Sequence, residues 1–282
     1  MVYGTTLVGV VSLRDLILSD PGQTLGDVMT ENVVTVRVDD DQEEVANTMA
    51  KYDFNAIPVV DERGNLAGVI TVDDVVDVVI EEATEDAHMM GAVDPIEDSY
   101  FETDLFRLFR SRVTWLSLLF VGGFLTASVM ERFADELATA VTLAVFVPLI
   151  ISSGGNSGSQ SASLIIRALA TGDVAPSDWW KVLARELVVS VALGLVLGAL
   201  GFLRAYLAAG SGQNALVLGL AVSVSTVGVV LVGSLVGSLL PLGIQRIGLD
   251  PAVSSTPFIA SLVDVVGLLI YLTVAGAILG LT

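Results

Sequence analysis

Five long apolar stretches after residue 111 limit most strongly what this chain can fold into. They cover approximately residues 113–130, 137–166, 180–207, 214–242 and 252–281. A helix of about 20 apolar residues crosses the hydrocarbon core of a bilayer, so each stretch is long enough to span it, and the longest need a tilt or a break. The sequence therefore predicts a multi-pass α-helical membrane bundle with five transmembrane helices.

Charge is concentrated before the first apolar stretch. Residues 1–110 contain 24 acidic and 6 basic side chains, whereas residues 111–282 contain 8 and 7, so nearly all of the net charge of −19 belongs to the first part. This predicts an acidic soluble region beside a nearly neutral membrane region. It argues against nucleic acid as a partner and for divalent cations and the lipid bilayer. A proteome adapted to high salt would be similarly acidic, and that explanation stays open.

Basic residues indicate the orientation of the spans. On one predicted side lie Arg107, Arg110, Arg112, Arg167, Lys181, Arg185 and Arg246. Loops rich in Lys and Arg stay in the cytoplasm. We therefore expect a multi-pass protein of the cell membrane, with the N-terminal domain cytoplasmic and the C-terminus outside.

Asp264 lies inside the last apolar stretch, and no Lys, Arg or His follows Arg246 to pair with it locally. A charged side chain at mid-bilayer costs roughly 2.5 to 3.5 kcal/mol on insertion scales, so it must be protonated, paired or bound to a metal. The sequence therefore predicts a cation site at Asp264.

The second apolar stretch is interrupted by Pro148, by glycines at 154, 155 and 158, and by the polar residues Asn156 and Gln160. Proline and glycine can free backbone carbonyl groups, which are tolerated at membrane depth only inside protein or beside a wet cavity. We therefore expect Asn156, Gly155 and nearby carbonyls to add oxygen ligands to Asp264. Close helix packing explains the Gly154 and Gly158 pair equally well, and this alternative stays open.

The soluble region contains an internal repeat with a shift of 59 residues. Residues 7–16 align with residues 66–75, and each copy predicts a strand, a polar turn and a helix. The second copy also predicts a strand at 32–36, a helix at 41–52, a strand at 56–60 and a turn at 61–64. The first copy lacks these elements, and we expect its start to have been lost from a longer chain.

Both copies carry the pattern Gly-x-x-Ser/Thr-x-x-Asp. The hydroxyl groups of Ser12 and Thr71 can meet a phosphate at a helix N-terminus, while Asp15 and Asp74 can accept hydrogen bonds from ribose hydroxyls. This pattern indicates ATP or another adenine nucleotide. The same residues are also ordinary helix N-caps, so a purely structural role stays open.

An acidic connector follows from residue 73 to 104. Glu82, Glu85 and Asp86 are spaced three and four residues apart, which places their carboxylates on one helix face. Their mutual repulsion can be relieved by a divalent ion, or the face can simply be solvated.

The repeat resembles a CBS-domain pair, and two further segments resemble the MgtE family of magnesium channels. These are residues 148–172, PLIISSGGNSGSQSASLIIRALATG, and the last span from Asp250-Pro-Ala to Tyr271. The resemblance implies a remnant of the first CBS copy at 1–20, a second copy at 21–85, a connecting plug helix at 86–111 and a five-helix transmembrane domain at 112–282. The fold class is thus a membrane bundle preceded by an α/β CBS domain and a plug helix.

The resemblance also implies a homodimer with one Mg2+ path between the subunits, lined by the second and fifth spans. It implies a Mg2+ site at Asp264 and regulatory ion sites at Asp77, Glu82, Glu85 and Asp86. Divalent ions bound there would hold the plug helix against the pore. Absence of the family's N-terminal helical domain puts this closure in doubt.

Two other functions stay open from the residues alone. One is transport of another divalent ion such as Mn2+ or Co2+, because oxygen ligands discriminate weakly among hard cations. The other is a membrane sensor of nucleotide that transports nothing. We do not expect an enzyme, because the single His88 is isolated and no phosphate-binding Gly-x-x-x-x-Gly-Lys motif occurs.

Overall fold

A computed structural model describes residues 1–96, 98–209 and 214–280. Residues 210–213, 281 and 282 of the predicted transmembrane domain lie outside the described residues, as does residue 97 of the predicted connector. The chain divides into two compact units, Met1–Thr84 and Glu85–Thr282. Each is described by itself.

The first unit is an α/β domain. Its strands are β1 (Val2–Tyr3), β2 (Thr6–Leu7), β3 (Val36–Arg37), β4 (Ala56–Val60) and β5 (Leu66–Thr71). Its complete helices are α1 (Leu13–Leu18), α2 (Leu25–Val28) and α3 (Gln42–Tyr52). Strands β1 and β2 form an antiparallel pair, and β4 lies between parallel β3 and antiparallel β5.

The predicted elements of the second repeat are present, with one difference. Helix α3 begins after Asp41, whose Oδ1 accepts a hydrogen bond from the Glu43 backbone N–H at 2.9 Å, as expected for an N-cap. Strand β3 covers only Val36 and Arg37 instead of the predicted 32–36. It pairs with the last two residues of β4, and the residue of β4 before them is Pro58, which has no backbone N–H to extend the ladder.

A small apolar core holds the first unit together. Met49 and Val45 of α3 pack with Ile57 of β4 and Val36 of β3, and Ile57 is completely buried. The turn between β4 and β5 is closed by Asp61, and Gly64 takes a φ of +78° there, a conformation that favours glycine.

The predicted plug helix at 86–111 is not a single helix, and this prediction is wrong. Helix α4 (Val72–Met90) continues without a break from β5 through residues 86–90. Among the described residues between 91 and 104 none is helical, and residues 105–111 begin the first transmembrane helix. Gly91 and Pro95 interrupt the amphipathic pattern, and Ala92 adopts a left-handed φ of +57° that ends the turn.

The second unit contains five helices long and apolar enough to cross a membrane among the residues described, which confirms the predicted number of spans. They are α5 (Leu105–Arg132), α7 (Val141–Ala170), α8 (Trp179–Ala208), α9 (Ala215–Arg246) and α10 (Thr256–Leu279), with the short α6 (Ala134–Thr139) after α5. Helix α9 packs against α7, α8 and α10, while α5 packs mainly on α10.

Glycines let α7 and α9 approach closely. A Cβ atom built on Gly233 would lie 2.5 Å from the Gly154 carbonyl oxygen, and one built on Gly237 would overlap the carbonyl of Gly158. Only hydrogen atoms fit between these backbones. The packing interpretation of Gly154 and Gly158 is therefore confirmed, with Gly233 and Gly237 as their partners.

Candidate ion site and nucleotide cavity

Asp264 lies where α10 crosses α7, directly beside Gly155. A Cβ atom built on Gly155 would be 3.8 Å from Asp264 Oδ1 and 3.6 Å from the Ala260 Cβ. Asp264 is half-buried, while Gly155 is buried. The absence of a side chain at Gly155 therefore leaves room for the carboxylate between the two helices.

A polar surface of α7 continues from this point, and we call it the α7 polar face. It consists of Ser152, Asn156, Ser159, Gln160 and Ser163. These residues follow one another at spacings of one, three or four, so they share one side of the helix. Several of them line, with Thr256 of α10, an open cavity of about 520 Å³.

Asn156 is the exposed residue of this face closest in sequence to Gly155. Its Nδ2 donates a hydrogen bond to Ser152 Oγ at 3.3 Å. Within the part of the chain that the structure describes, its Oδ1 accepts none. Amide and carboxylate oxygens are both ligands that suit a hard cation.

Helix α7 is regular from Val141 to Ala170, although it contains Pro148. The helix is therefore continuous through Gly154, Gly155 and Gly158, where the sequence predicted freed carbonyl groups. Pro148 removes one N–H donor, but the glycines are used for contact with α9, and that contact keeps the helix regular. Gly155 thus leaves space beside Asp264, and the side chains of Asp264 and Asn156 carry the oxygen atoms predicted for the site.

The acidic residues of α4 are not drawn together into an ion site. No group of three or more His, Asp or Glu side chains suited to a metal forms among the described residues. Glu82 Oε1 instead accepts a hydrogen bond from Gln42 Nε2 at 2.6 Å, and Asp77 and Glu85 are exposed. Within the described part of one chain, no three of these carboxylates therefore come together at one point.

The two Ser/Thr–Asp pairs of the repeat have the same geometry. Ser12 Oγ donates to Asp15 Oδ2 at 2.5 Å, and Thr71 Oγ1 donates to Asp74 Oδ2 at 2.7 Å. Each hydroxyl stands before a helix. The capping role that the sequence left open is present at Ser12, whose Oγ accepts a hydrogen bond from the Asp15 backbone N–H at 3.1 Å. In the second copy the Thr71 backbone N–H donates to Asp74 Oδ2 at 3.2 Å.

The first pair borders a cavity. A space of about 240 Å³ is lined by Ser12 and Asp15, together with Thr30, Asn32, Phe54, Ala56 and Pro58 among others. Thr71 and Asp74 are not among its lining residues. The structure therefore separates the four predicted nucleotide residues into one pair at a cavity and one pair away from it.

Three side-chain contacts in the membrane unit were not predicted. Ser161 of α7 donates to Glu186 Oε2 of α8 at 2.8 Å, and the hydroxyls of Ser157 and Ser234 lie 2.6 Å apart. Tyr271 of α10 donates to the carbonyl oxygen of Leu143 at 2.9 Å. A carboxylate at Glu186 within the third apolar stretch was the one available signal, since intramembrane charges generally have a partner.

Comparison with known proteins identifies both units. Residues 147–274 match the family model MgtE, described as a divalent cation transporter, and residues 25–81 match the CBS domain. The chain carries an MgtE-family membrane domain. The resemblance seen in the two glycine- and aspartate-containing segments is thereby confirmed, and so is the presence of a CBS domain.

Relatives match nearly the whole of this MgtE-type chain. It is 47% identical over 273 residues to the magnesium transporter MgtE of Thermus thermophilus, covering 97% of this chain and 60% of that protein. It is 37% identical over 271 residues to the magnesium transporter MgtE of Bacillus subtilis, covering 96% and 59%. The chain thus spans about three fifths of the length of these relatives. Their names agree with the expectation that it is not an enzyme.

A solved structure, the cytosolic domain of the Mg2+ channel MgtE in complex with ATP, is 58% identical to the aligned part of this chain. The alignment covers 26% of this chain and 30% of that one, with a TM-score of 0.26.

Proposed function

We propose that this chain moves hydrated Mg2+ across the cell membrane along a path between two copies of itself, lined by α7 and α10. The observation that carries the proposal is the position of Asp264 against Gly155, with the free amide oxygen of Asn156 one residue away. Membership of residues 147–274 in a family of divalent cation transporters supports the same activity.

The chemistry of these oxygen atoms suits Mg2+. This ion sheds water reluctantly and is commonly held by one or two carboxylates while keeping much of its shell. A carboxylate and an amide oxygen can accept hydrogen bonds from that shell, as selective pores require. The space left by Gly155 keeps the Asp264 carboxylate open to such an ion.

A second copy of the chain is needed to cover the α7 polar face. Asn156 and Gln160 are exposed in the single chain, and polar groups facing lipid tails are costly. Around a two-fold axis the same face would meet itself and enclose water. Two Asp264 carboxylates would then approach each other, and their repulsion would favour a divalent over a monovalent cation.

The direct test is Mg2+ uptake by liposomes containing the purified chain. We expect Asp264→Asn to lower uptake at least tenfold, because the site loses its charge but keeps its shape. Glu131→Gln, at the exposed end of α5, is the matched control and should transport normally. Normal uptake by Asp264→Asn would refute the ion path.

Competition between divalent cations tests which ion the chain transports. If Mg2+ is the substrate, an equal concentration of Mn2+ or Co2+ should reduce its uptake only partly, since oxygen ligands alone discriminate weakly among divalent ions. Complete replacement of Mg2+ by one of them would assign a different substrate. No flux of any divalent ion would leave a sensor role for the CBS domain.

We further propose that divalent ions on the cytoplasmic side close the path by bridging acidic residues of α4 to a second chain. Among the described residues of one chain, Asp77, Glu82, Glu85 and Asp86 form no group of three or more suited to a metal, so a second chain would complete the site. Millimolar Mg2+ should protect residues 73–110 from protease, and Glu82→Gln with Glu85→Gln should remove the protection. Equal digestion with and without Mg2+ would count against this gate.

For the CBS domain we propose that the cavity at Ser12 and Asp15 binds the adenosine part of ATP or a related nucleotide. Its size, about 240 Å³, is slightly below the usual range for small-molecule sites, which suits part of a nucleotide. Asp15→Asn should weaken ATP binding about tenfold, since hydrogen bonds to a charged group contribute roughly 1.5 to 3 kcal/mol. Asp74→Asn changes the equivalent residue away from the cavity and should bind ATP normally.

The predicted orientation, with the N-terminal domain cytoplasmic and the C-terminus outside, can be tested by labelling. The chain contains no cysteine, so any labelling would come from a single cysteine introduced at residue 52 or at residue 248. A membrane-impermeant thiol reagent added to intact cells should modify neither. At residue 138, between the first two spans, it should modify the cysteine.

A further inference from the structure

An apolar groove runs along the start of α5, and Arg112 is among the residues that line it. Its volume is about 350 Å³. It is lined by Tyr100, Leu105, Leu108, Phe109, Arg112 and Leu116, among others. From Leu105 onward these residues recur every three or four positions, so the groove follows one side of the helix, and Tyr100 of the preceding loop borders it.

The groove lies where the chain enters the bilayer. Arg112 is the last charged residue before the apolar stretch that starts at Val113, and Trp115 stands one turn deeper than Ser111. Trp and Tyr side chains concentrate at the level of the lipid headgroups. The apolar window of α5 is only 6% buried within the described chain, so its sides are left for lipid.

Another side of α5 is already occupied by its own connecting loop. Arg107 Nη1 donates to Asp98 Oδ2 at 2.7 Å, and Trp115 Nε1 donates to Asp94 Oδ1 at 2.9 Å. The Asp94 backbone N–H also reaches the Ser111 carbonyl oxygen at 2.9 Å. Residues 107, 111 and 115 form one stripe of the helix, and the groove lies on a different one.

Arg112 and its neighbour Arg110 keep their charges available. Both are exposed, and among the residues described by the structure neither forms a salt bridge, whereas Arg107 is neutralised by Asp98. The chain around them carries a strong negative charge, so these two cations stand out against it. An arginine above an apolar groove matches a molecule with an anionic head and hydrocarbon tails.

We propose that this groove binds an anionic phospholipid, with the headgroup phosphate on Arg112 and an acyl chain running deeper along Val113 and Leu116. A guanidinium group recognises phosphate through paired hydrogen bonds. Leu116 is 55% exposed, so the acyl chain would cover apolar surface that the described chain leaves bare. The lipid would fix α5 at the membrane surface beside the loop that joins it to α4.

The experiment compares lipids retained by the full chain. The protein is reconstituted in phosphatidylcholine vesicles containing 20% phosphatidylglycerol, extracted and washed, and its bound lipids are measured by mass spectrometry. We expect enrichment of phosphatidylglycerol in the parent. Arg112→Gln should reduce that enrichment about fivefold, the share of one basic residue at an anionic surface, whereas Arg112→Lys should retain most of it.

Arg132→Gln is the matched control, since it removes an exposed arginine from the opposite end of the same helix and should leave the enrichment unchanged. Enrichment should also disappear in about 1 M salt, where the screening length is about 3 Å, and this arm needs no variant. Equal enrichment in the parent and Arg112→Gln, or none in the parent, would overturn the proposal. Quantitative disulfide cross-linking of Phe109→Cys between two chains would also overturn the proposal, because a second copy of the chain would then cover the groove.

Discussion

Gly154 of α7 and Gly233 of α9 face each other so closely that a Cβ atom on Gly233 would lie 2.5 Å from the Gly154 carbonyl oxygen. Real Cβ contacts of that length essentially do not occur. The two helices are therefore held at backbone contact, and the position of α7 relative to α9 is set by glycine.

Substituting these glycines should separate the helices. We expect Gly233→Ala and Gly237→Ala each to lower the free energy of unfolding by about 1 to 3 kcal/mol, the usual cost of overpacking, because the obstructing atoms belong to backbone and cannot turn aside. Gly243→Ala, on the same helix, meets nothing within 4 Å and should be neutral or stabilising. Thermal unfolding in detergent measures all three, and equal melting temperatures would contradict the packing account.

The neighbours Gly154 and Gly155 should behave differently from each other. A Cβ on Gly154 would lie 2.5 Å from Val229 Cγ1, so Gly154→Ala should destabilise the membrane unit. A Cβ on Gly155 makes only ordinary contacts at 3.6 Å and beyond, so Gly155→Ala should fold normally. Because the new methyl group would stand beside Asp264, we expect Gly155→Ala to reduce Mg2+ uptake several-fold without changing the melting temperature. The reverse pattern would separate Gly155 from the ion path.

Tyr271 is completely buried, and its hydroxyl group donates to the Leu143 carbonyl oxygen. Tyr271→Phe leaves that carbonyl without this donor in an apolar core, which should cost about 1 to 3 kcal/mol of stability. Tyr206→Phe removes a hydroxyl from a side chain that is 45% exposed and should cost almost nothing. Chemical unfolding curves of the two variants give the comparison, and similar losses would remove the special role of the Tyr271 bond.

Acid should weaken the turn between β4 and β5. The Asn65 side-chain amide donates to Asp61 at 2.9 Å and, with the Asn65 backbone N–H, holds the pKa of the Asp61 carboxyl below its usual value of 3.8. A carboxyl group whose pKa is lower in the folded state stabilises the fold above its unfolded pKa, and this contribution is lost as pH falls through the folded pKa.

The corresponding variant is Asn65→Ala, in which the pKa of Asp61 should rise toward 3.8 when followed by NMR between pH 6 and 2. Asn55→Ala removes an exposed amide that makes no hydrogen bond to Asp61 and should leave its pKa unchanged. An unaltered pKa in Asn65→Ala would contradict the assigned cause.

Sequence patterns predicted those features that depend on local chain chemistry. The five spans follow from long apolar runs, and α3 follows from its period and from the N-cap at Asp41. Interruptions were harder to predict: Pro148 and the glycines indicated an opened helix, but tertiary contact with α9 keeps α7 regular. The sequence shows that these residues are unusual for a membrane span, whereas their effect on the helix depends on the neighbouring helices.

Pairings between helices could not be predicted for the same reason. The sequence singled out Asp264 and Gly155, but their adjacency depends on the register of α10 against α7. The Ser161–Glu186 hydrogen bond likewise depends on how α8 is rotated. Neither the register of two helices nor the rotation of a helix about its axis can be predicted from the residue pattern of one segment.

Helix α5 joins its loop-bound start and its membrane span in 28 continuous residues, which at 1.5 Å per residue is a rod of about 42 Å. That length equals the whole thickness of a bilayer with its headgroups. Asp94 and Asp98 hydrogen-bond to the helix near its start. A small tilt imposed there would displace the other end of the rod, about 42 Å away, and so transmit a movement across the thickness of a bilayer.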